Sequence, residues 1–241
     1  MTDPTLPIRI VLCQTSHPGN VGAVARAMKN MGLSELHLVK PCEYRNVEGY
    51  ARASDADDVL NAAVVHQNLP AAIAECGLVL GTSARQRHLP FIPVEPRECA
   101  IQSVRAARAG NRVAILFGSE RTGLQNDELL LCHHLVTIPT SDAYSSLNIA
   151  MAVQIIAYEL LLAMRGEAAA IERNEPFATT DELERLYEHL SRVLEGTHFR
   201  DHARSGHVMA RIRRIFNRAQ LDQNEMRILR GILSAVQESR G

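Results

Sequence analysis

The stretch SHPGNVGAVARAMKNMGL, Ser16–Leu33, sets a Gly-Asn pair at the start of a helical pattern and follows it with cations at Arg26 and Lys29. Unpaired backbone N–H groups and the positive end of the helix dipole make such a start a seat for an anion. Val21, Val24 and Met28 recur at helical spacing as the buried face, which leaves Arg26 free to face the loops before the helix. Two accounts fit this spacing. In one, Asn20 caps the helix and Arg26 is solvated; in the other, the stretch binds a phosphate-bearing substrate.

Further polar residues follow apolar runs that read as strands. IRIVLC leads into QTSHPGN, LVLG into TSARQR, VAILF into GSERTGL, and HLVTIP into TSDAYSSLN. Ligands on open α/β sheets bind beyond the carboxyl ends of the strands, so four such exits on one sheet point to a shared site. GSERTG has the glycine spacing of a P-loop, but Leu124 and Gln125 stand where Lys and Ser/Thr belong. No G-x-G-x-x-G follows a strand. A ligand here must be held by backbone groups and shape. The only tempting metal cluster, Cys132–His134, reads as a helix-to-strand junction, and no metal site is expected.

The elements that must position these residues alternate along residues 1–164. Between the runs already quoted lie a strand in ELHLVK, helical stretches in DDVLNAA and LPAAIAEC around a short VVH, an amphipathic helix in RECAIQSVRAARAG and a short helix in DELLLCH. SLNIAMAVQIIAYELLLAM closes the series as a long apolar helix, at whose start Ser146 and Asn148 could act as caps. Apolar strands alternating with helices predict an α/β fold with a mostly parallel sheet covered on both faces. The polar stretch 165–178 reads as a linker, and 179–241 as a small bundle of three helices. The first opens with a capping box from Thr179 to Glu182. The second is basic: Arg204, Arg211, Arg213, Arg214 and Arg218 occur with no acid between Asp201 and Asp222, and Val208, Ile212 and Ile215 form its apolar stripe. Such a helix suits phosphates, although a solvated basic face has the same composition.

The bulk numbers restrict the partners. A chain of 241 residues with a hydrophobic fraction of 46% can pack a core, and a net charge of -1 confines any polyanion site to a local patch. Five cysteines without a C-x-x-C pair read as reduced, mostly buried thiols. MTDPTLP lacks the regions of a signal peptide, and no apolar run approaches a membrane span. A cytoplasmic protein without membrane contact is expected.

SHPGNVGAVARAMKNMGL, VAILFGSERTGLQNDEL and HLVTIPTSDAYSSLNIAMAVQIIAYEL, in this order, resemble the three motifs of the SPOUT-class RNA 2'-O-methyltransferases. GTSAR and YSSLN are closest to the TrmJ type, which methylates the ribose at position 32 of the tRNA anticodon loop. The resemblance covers the sheet domain and extends to the arrangement of the C-terminal helices. It implies a C-terminal trefoil knot, S-adenosylmethionine as methyl donor, tRNA as substrate, and a homodimer in which each site uses both subunits. Carried onto this chain, the donor pocket is Thr82, Ser83, Ala84, Gly118, Ile138, Ser145, Ser146 and Leu147. The catalytic positions are Asn20, Arg26, Glu120 and Asn148, and Tyr144 matches a residue typical of the subgroup. Arg85, Arg87 and Lys29 could add positive surface near the site, and the arginine helix is expected to dock tRNA. Ser119 stands where some relatives carry a basic residue.

Arg26 is the base proposed for the class, but a guanidinium holds its proton far above neutral pH. It either loses that proton beside another cation or stays charged and stabilises the developing alkoxide or a neighbouring phosphate. Glu120 reads as positioning donor or substrate groups. Two alternatives stay open: a related activity on another tRNA or rRNA position, and an RNA-binding protein of the same fold without catalysis.

Overall fold

The computed structural model describes residues 6–84, 93–141, 143–166, 175–195 and 207–238. Seven strands, all parallel, form one sheet: β1 (Ile8–Cys13), β2 (Glu35–Val39), β3 (Val64–His66), β4 (Cys76–Thr82), β5 (Pro93–Val94), β6 (Arg112–Phe117) and β7 (His134–Val136). Their order is β3-β2-β1-β6-β4-β7-β5. The helices are α1 (Pro18–Asn30), α2 (Val47–Ala53), α3 (Asp57–Ala62), α4 (Leu69–Ile73), α5 (Pro96–Arg108), α6 (Asn126–Leu129), α7 (Ile149–Arg165), α8 (Thr180–Glu195), α9 (His207–Ala219) and α10 (Gln223–Glu238).

Side chains alternate between the two faces of a strand, so each face of this sheet receives its own core. Ile8, Ile10 and Leu12 of β1 pack with Val21, Val24 and Met28 of α1 and with buried residues of α5 and α7. Val11 and Cys13 point the other way, into a cluster with Ile73 of α4 and Leu129 of α6. A third cluster, around Leu183, Leu186, Tyr187, Leu221 and Met226, holds the C-terminal helices together. The sheet covered on both faces and the small helical bundle are both present. The thiols of Cys13, Cys76, Cys99 and Cys132 are buried, and burial raises each above the ordinary thiol range.

α1 starts two residues earlier than the pattern suggests. His17 is its N-cap and Pro18 its first residue, so Asn20 lies inside the first turn and does not cap. α1 also crosses α2 at very short range. A Cβ on Gly22 would stand 2.0 Å from the carbonyl oxygen of Gly49 and 3.0 Å from the Ala53 nitrogen. Backbone cannot yield as a flexible side chain does. Gly22→Ala is therefore expected to destabilise the fold by about 3 kcal/mol, read as a lower denaturant midpoint at unchanged slope.

The C-terminal bundle docks where the strands begin. Thr180 Oγ1 donates to the Cys76 carbonyl, and the Asp181 N–H to that of Ala74. Asn217 Nδ2 donates to the Leu130 and Cys132 carbonyls, and the side chains of Gln220 and His134 bond each other. The Phe177 N–H donates to Asn111 Oδ1, and the Phe177 ring is 3% exposed. All of these anchors lie at the amino ends of β4, β6 and β7.

Candidate active site

The four strand exits meet in one cavity of about 450 Å³ at the opposite, carboxyl edge of the sheet. The β1 exit contributes His17 and Asn20, and the β4 exit Thr82, Ser83 and Ala84. Gly118–Gly123 come from the β6 exit, and Ile138 and Tyr144–Asn148 from the chain between β7 and α7. Every residue matched to the donor pocket thus lines it, as do Asn20, Glu120, Asn148 and the 78% exposed Tyr144. Phe117, Arg121 and Val136 also line it. Phe117 and Val136 end strands of their own, a signal that sequence reading passed over.

The β6 exit is a tight turn. The Gly123 N–H donates to the Ser119 carbonyl at 2.9 Å, and the Ser119 and Thr122 hydroxyls bond at 2.8 Å. Gly123 has φ +66, and a Cβ on Gly118 would stand 2.0 Å from Gly123 C and Leu124 N. Ser119, which stands where some relatives carry a cation, thus closes the turn that presents Glu120. Thr82 donates its hydroxyl to the Leu116 carbonyl at 2.9 Å, and the Ser83 N–H reaches the Val136 carbonyl. These bonds tie the β4 exit to the neighbouring strands.

Glu120 joins three of the chain's segments. Its Oε1 accepts from Asn20 Nδ2 at 2.9 Å, and its Oε2 accepts from both the N–H and the hydroxyl of Ser16 at 3.1 Å. Burial alone would raise its pKa, but the bonds from Asn20, its own backbone and Ser16 outweigh that and hold it below the ordinary carboxylate range. An ionised carboxylate only accepts, so Asn20 must turn its amide nitrogen to Glu120 and its oxygen away. That oxygen accepts from Asn148 Nδ2 at 3.0 Å. Asn148 Oδ1 in turn accepts from the Ala150 N–H, capping α7. One carboxylate therefore fixes the orientation of both amides, and Asn148 caps and faces the cavity at once.

Arg26 departs from expectation. It is exposed, as expected, but it does not line the cavity of its own chain. Six residues of helix place it about 9 Å beyond Asn20 and about 120° around the axis. The inward face of α1 is filled by Val21, Val24, Ala25 and Met28. Lys29 is also drawn away: its ammonium bonds Asp58 at 2.8 Å and the Asp55 carbonyl at 2.7 Å.

The arginine helix, α9, lies with its bundle at the amino edge, a strand's length, about 20 Å, from the cavity. Arg213 is taken up internally. It forms a bidentate pair with Glu184, with one N···O distance of 2.7 Å, and its guanidinium stacks 4.5 Å from the centre of the Tyr187 ring. Arg211 and Arg218 are exposed and Arg214 half-buried. The apolar stripe also differs from the reading: Met209 and Phe216 pack inward, whereas Ile215 is 54% exposed. Arg85, Arg87 and Arg204 lie outside the described residues. The Cys132–His134 run is a junction. His133 is buried, its pKa pushed down to about 4 by desolvation, and its neutral Nδ1 accepts from the Val79 N–H. Among the described residues, no three His, Cys, Asp or Glu side chains could hold a metal ion. Nor is any helix there long and apolar enough to cross a membrane.

Comparison with known proteins places these features. The model of the SpoU rRNA Methylase family matches residues 7–158, and that of the tRNA methyltransferase TrmJ C-terminal domain matches residues 181–241. The tRNA (cytidine/uridine-2'-O-)-methyltransferase TrmJ of Pectobacterium atrosepticum is 50% identical over 96% of this chain and 97% of its own. The protein of the same name from Sodalis glossinidius is 48% identical, over 96% and 92%. The crystal structure of TrmJ from Z. mobilis ZM4 superimposes with a TM-score of 0.81 at 32% identity, over 98% of this chain and 100% of that one.

Proposed function

Because the chain belongs to the SpoU methylase family, and within it to the TrmJ methyltransferases, we propose that it is a tRNA ribose 2'-O-methyltransferase using S-adenosylmethionine, and that it acts on the cytidine or uridine at position 32 of the anticodon loop. The observation that carries this reading is the convergence of all four polar strand exits on one cavity, with the Glu120–Asn20–Asn148 chain along its rim.

The cavity suits the donor in size and chemistry. About 450 Å³ lies within the usual range for cofactor pockets. Its walls combine apolar Phe117, Val136, Ile138 and Leu147 with hydroxyls from Ser145 and Ser146. Thr82, Ser83, Ala84, Gly118, Ile138, Ser145, Ser146 and Leu147 are the residues we assign to hold it. When bound, S-adenosylmethionine supplies a methyl group already activated on a sulfonium. The protein has then to bring the ribose oxygen into line and to stabilise the charge that develops on it. Asn20 and Asn148, oriented by Glu120, hold the substrate side of the cavity, and Tyr144 flanks its mouth. Arg26 keeps its proton and acts on the developing alkoxide or the adjacent phosphate. The trefoil knot of the class belongs to this reading; α7 returns from the cavity to pack against α1 and α5.

Arg26 reaches a cavity only in a homodimer. α7 carries an outward apolar stripe at helical spacing: Met151, Ile155, Tyr158 and Leu162, with Met151, Tyr158 and Leu162 61%, 49% and 44% exposed. A second copy covering this stripe would bring its α1 toward the cavity mouth, where α7 begins.

The α9 arginines bind the RNA backbone at the far edge of the sheet, so the substrate is a folded RNA that extends well beyond the target nucleotide. Replacing Arg211, Arg214 and Arg218 together by Ala should weaken tRNA binding at low salt and lower the salt-dependence slope by about 2. Donor affinity should stay unchanged; unaltered tRNA affinity would remove α9 from the interface. The function itself is tested by nucleoside mapping of tRNA treated with enzyme and labelled donor. The expected product is a 2'-O-methyl group at position 32. Label at another ribose overturns the position alone, and no label overturns the activity.

A further inference from the structure

Ser16 has no role in the reading so far, yet it makes two of the three side-chain and loop contacts that Glu120 accepts. Its hydroxyl and its N–H both end on Oε2 at 3.1 Å, while Asn20 holds Oε1. We propose that Ser16 is a positioning residue for methyl transfer: its hydroxyl fixes the plane of the Glu120 carboxylate, and through it the Asn20 and Asn148 amides at the cavity rim.

The loop that carries Ser16 is held from several sides. The Gln14 N–H donates to the Val39 carbonyl at 2.8 Å, and Gln14 takes φ 54, which turns the chain at the end of β1. The Cys42 N–H donates to the Thr15 carbonyl at 3.0 Å, and Thr15 is 1% exposed. On the other side, the His17 carbonyl accepts from the N–H groups of Asn20 and Val21 as α1 begins. Ser16 therefore meets Glu120 from a backbone already fixed. A carboxylate held at one oxygen by one donor can turn about its terminal bond; two donors on Oε2 and one on Oε1 stop that rotation. Through Asn20, any rotation of Glu120 would misdirect Asn148, whose oxygen is committed to the Ala150 N–H.

The backbone N–H of Ser16 survives any side-chain substitution, so only one of the two contacts to Oε2 can be removed. The expected effect is partial. Ser16→Ala should lower kcat about tenfold and leave the KM for S-adenosylmethionine within twofold, because Ser16 itself does not line the cavity. Ser16→Thr, which restores a hydroxyl at the same atom, should recover most of the rate. The decisive measurement is the cycle with Glu120→Ala: in that background Ser16→Ala should cost nothing further, since its target is gone. A merely structural role of the loop would be felt equally in both backgrounds.

The inference rests on the proposed methyltransferase activity, and a second readout separates the two. In the free protein, 13C NMR of the Glu120 carboxyl should show its titration midpoint moving to higher pH in Ser16→Ala, because one donor to the ionised form is lost while Asn20, His17, Arg121 and Cys42 remain around it. Wild-type rate in Ser16→Ala, a loss that adds fully to that of Glu120→Ala, or an unmoved midpoint overturns the role of Ser16. Wild-type protein that transfers no methyl group while the midpoint still moves overturns the activity, and leaves Ser16 a structural contact only.

Discussion

Arg26→Ala is expected to lower methyl transfer to tRNA by about a thousandfold while donor affinity, measured by calorimetry, stays at its wild-type value. The magnitude follows from removing a preorganised charge at the point where charge develops, which costs two to three orders of magnitude in known cases. The insensitivity of donor binding follows from the structure: Arg26 is exposed on α1 and touches none of the cavity within its own chain. Arg26→Lys should recover little, since a lysine offers a point charge in place of a planar fork. A mixed dimer sharpens the test. One chain carries Arg26→Ala and the other Asn148→Ala. If Arg26 serves its own chain, both sites are damaged. If it serves the partner, one site has an intact cavity and an intact guanidinium, and the mixed dimer regains up to half of the wild-type rate. Near-wild-type activity of Arg26→Ala alone would remove this residue from the mechanism.

The reason Arg26 was legible in type and not in place is general. Residue chemistry and helical spacing show which face of α1 is buried, and Val21, Val24 and Met28 occupy it as read. Spacing within one chain says nothing about which chain's cavity an exposed residue faces. The strands were legible because a sheet covered on both faces demands near-continuous apolar runs, and IRIVLC and VAILF supply them. α2 and β5 went unread: seven residues with a glycine, Gly49, among them and Val47 88% exposed carry no usable period, and a pair of residues carries none. Arg213 shows the limit of composition. It reads as one more phosphate ligand in a basic helix, yet a guanidinium facing Tyr187 and Glu184 across the bundle is worth more inside than in solvent. The docking of the bundle against the amino ends of β4, β6 and β7 was not foreseeable either. It depends on Thr180 and Asn217, whose partners are backbone carbonyls far along the chain, and on Gln220, whose side chain meets that of His134.

On the proposed homodimer, the double substitution Tyr158→Glu and Leu162→Glu is expected to halve the particle mass in light scattering, to that of one 26.6 kDa chain, and to remove methyl transfer as thoroughly as Arg26→Ala. Both side chains are 40–50% exposed in the single chain, at 49% and 44%, so the fold of the monomer has little to lose. A dimer face has much to lose, because two carboxylates would be buried there without partners on an apolar stripe that begins at Met151. Donor affinity separates the possible causes. The cavity is lined from α7 only at Ile149 and Ala152, nearly two turns before Tyr158, so a correctly folded monomer should still bind S-adenosylmethionine. A monomer that binds donor and transfers no methyl group places the missing component on the second copy, as the role proposed for Arg26, which lies outside its own cavity, requires. A variant that remains dimeric would show that this stripe is not the dimer face, and a monomer with wild-type activity would show that a single chain assembles the whole site.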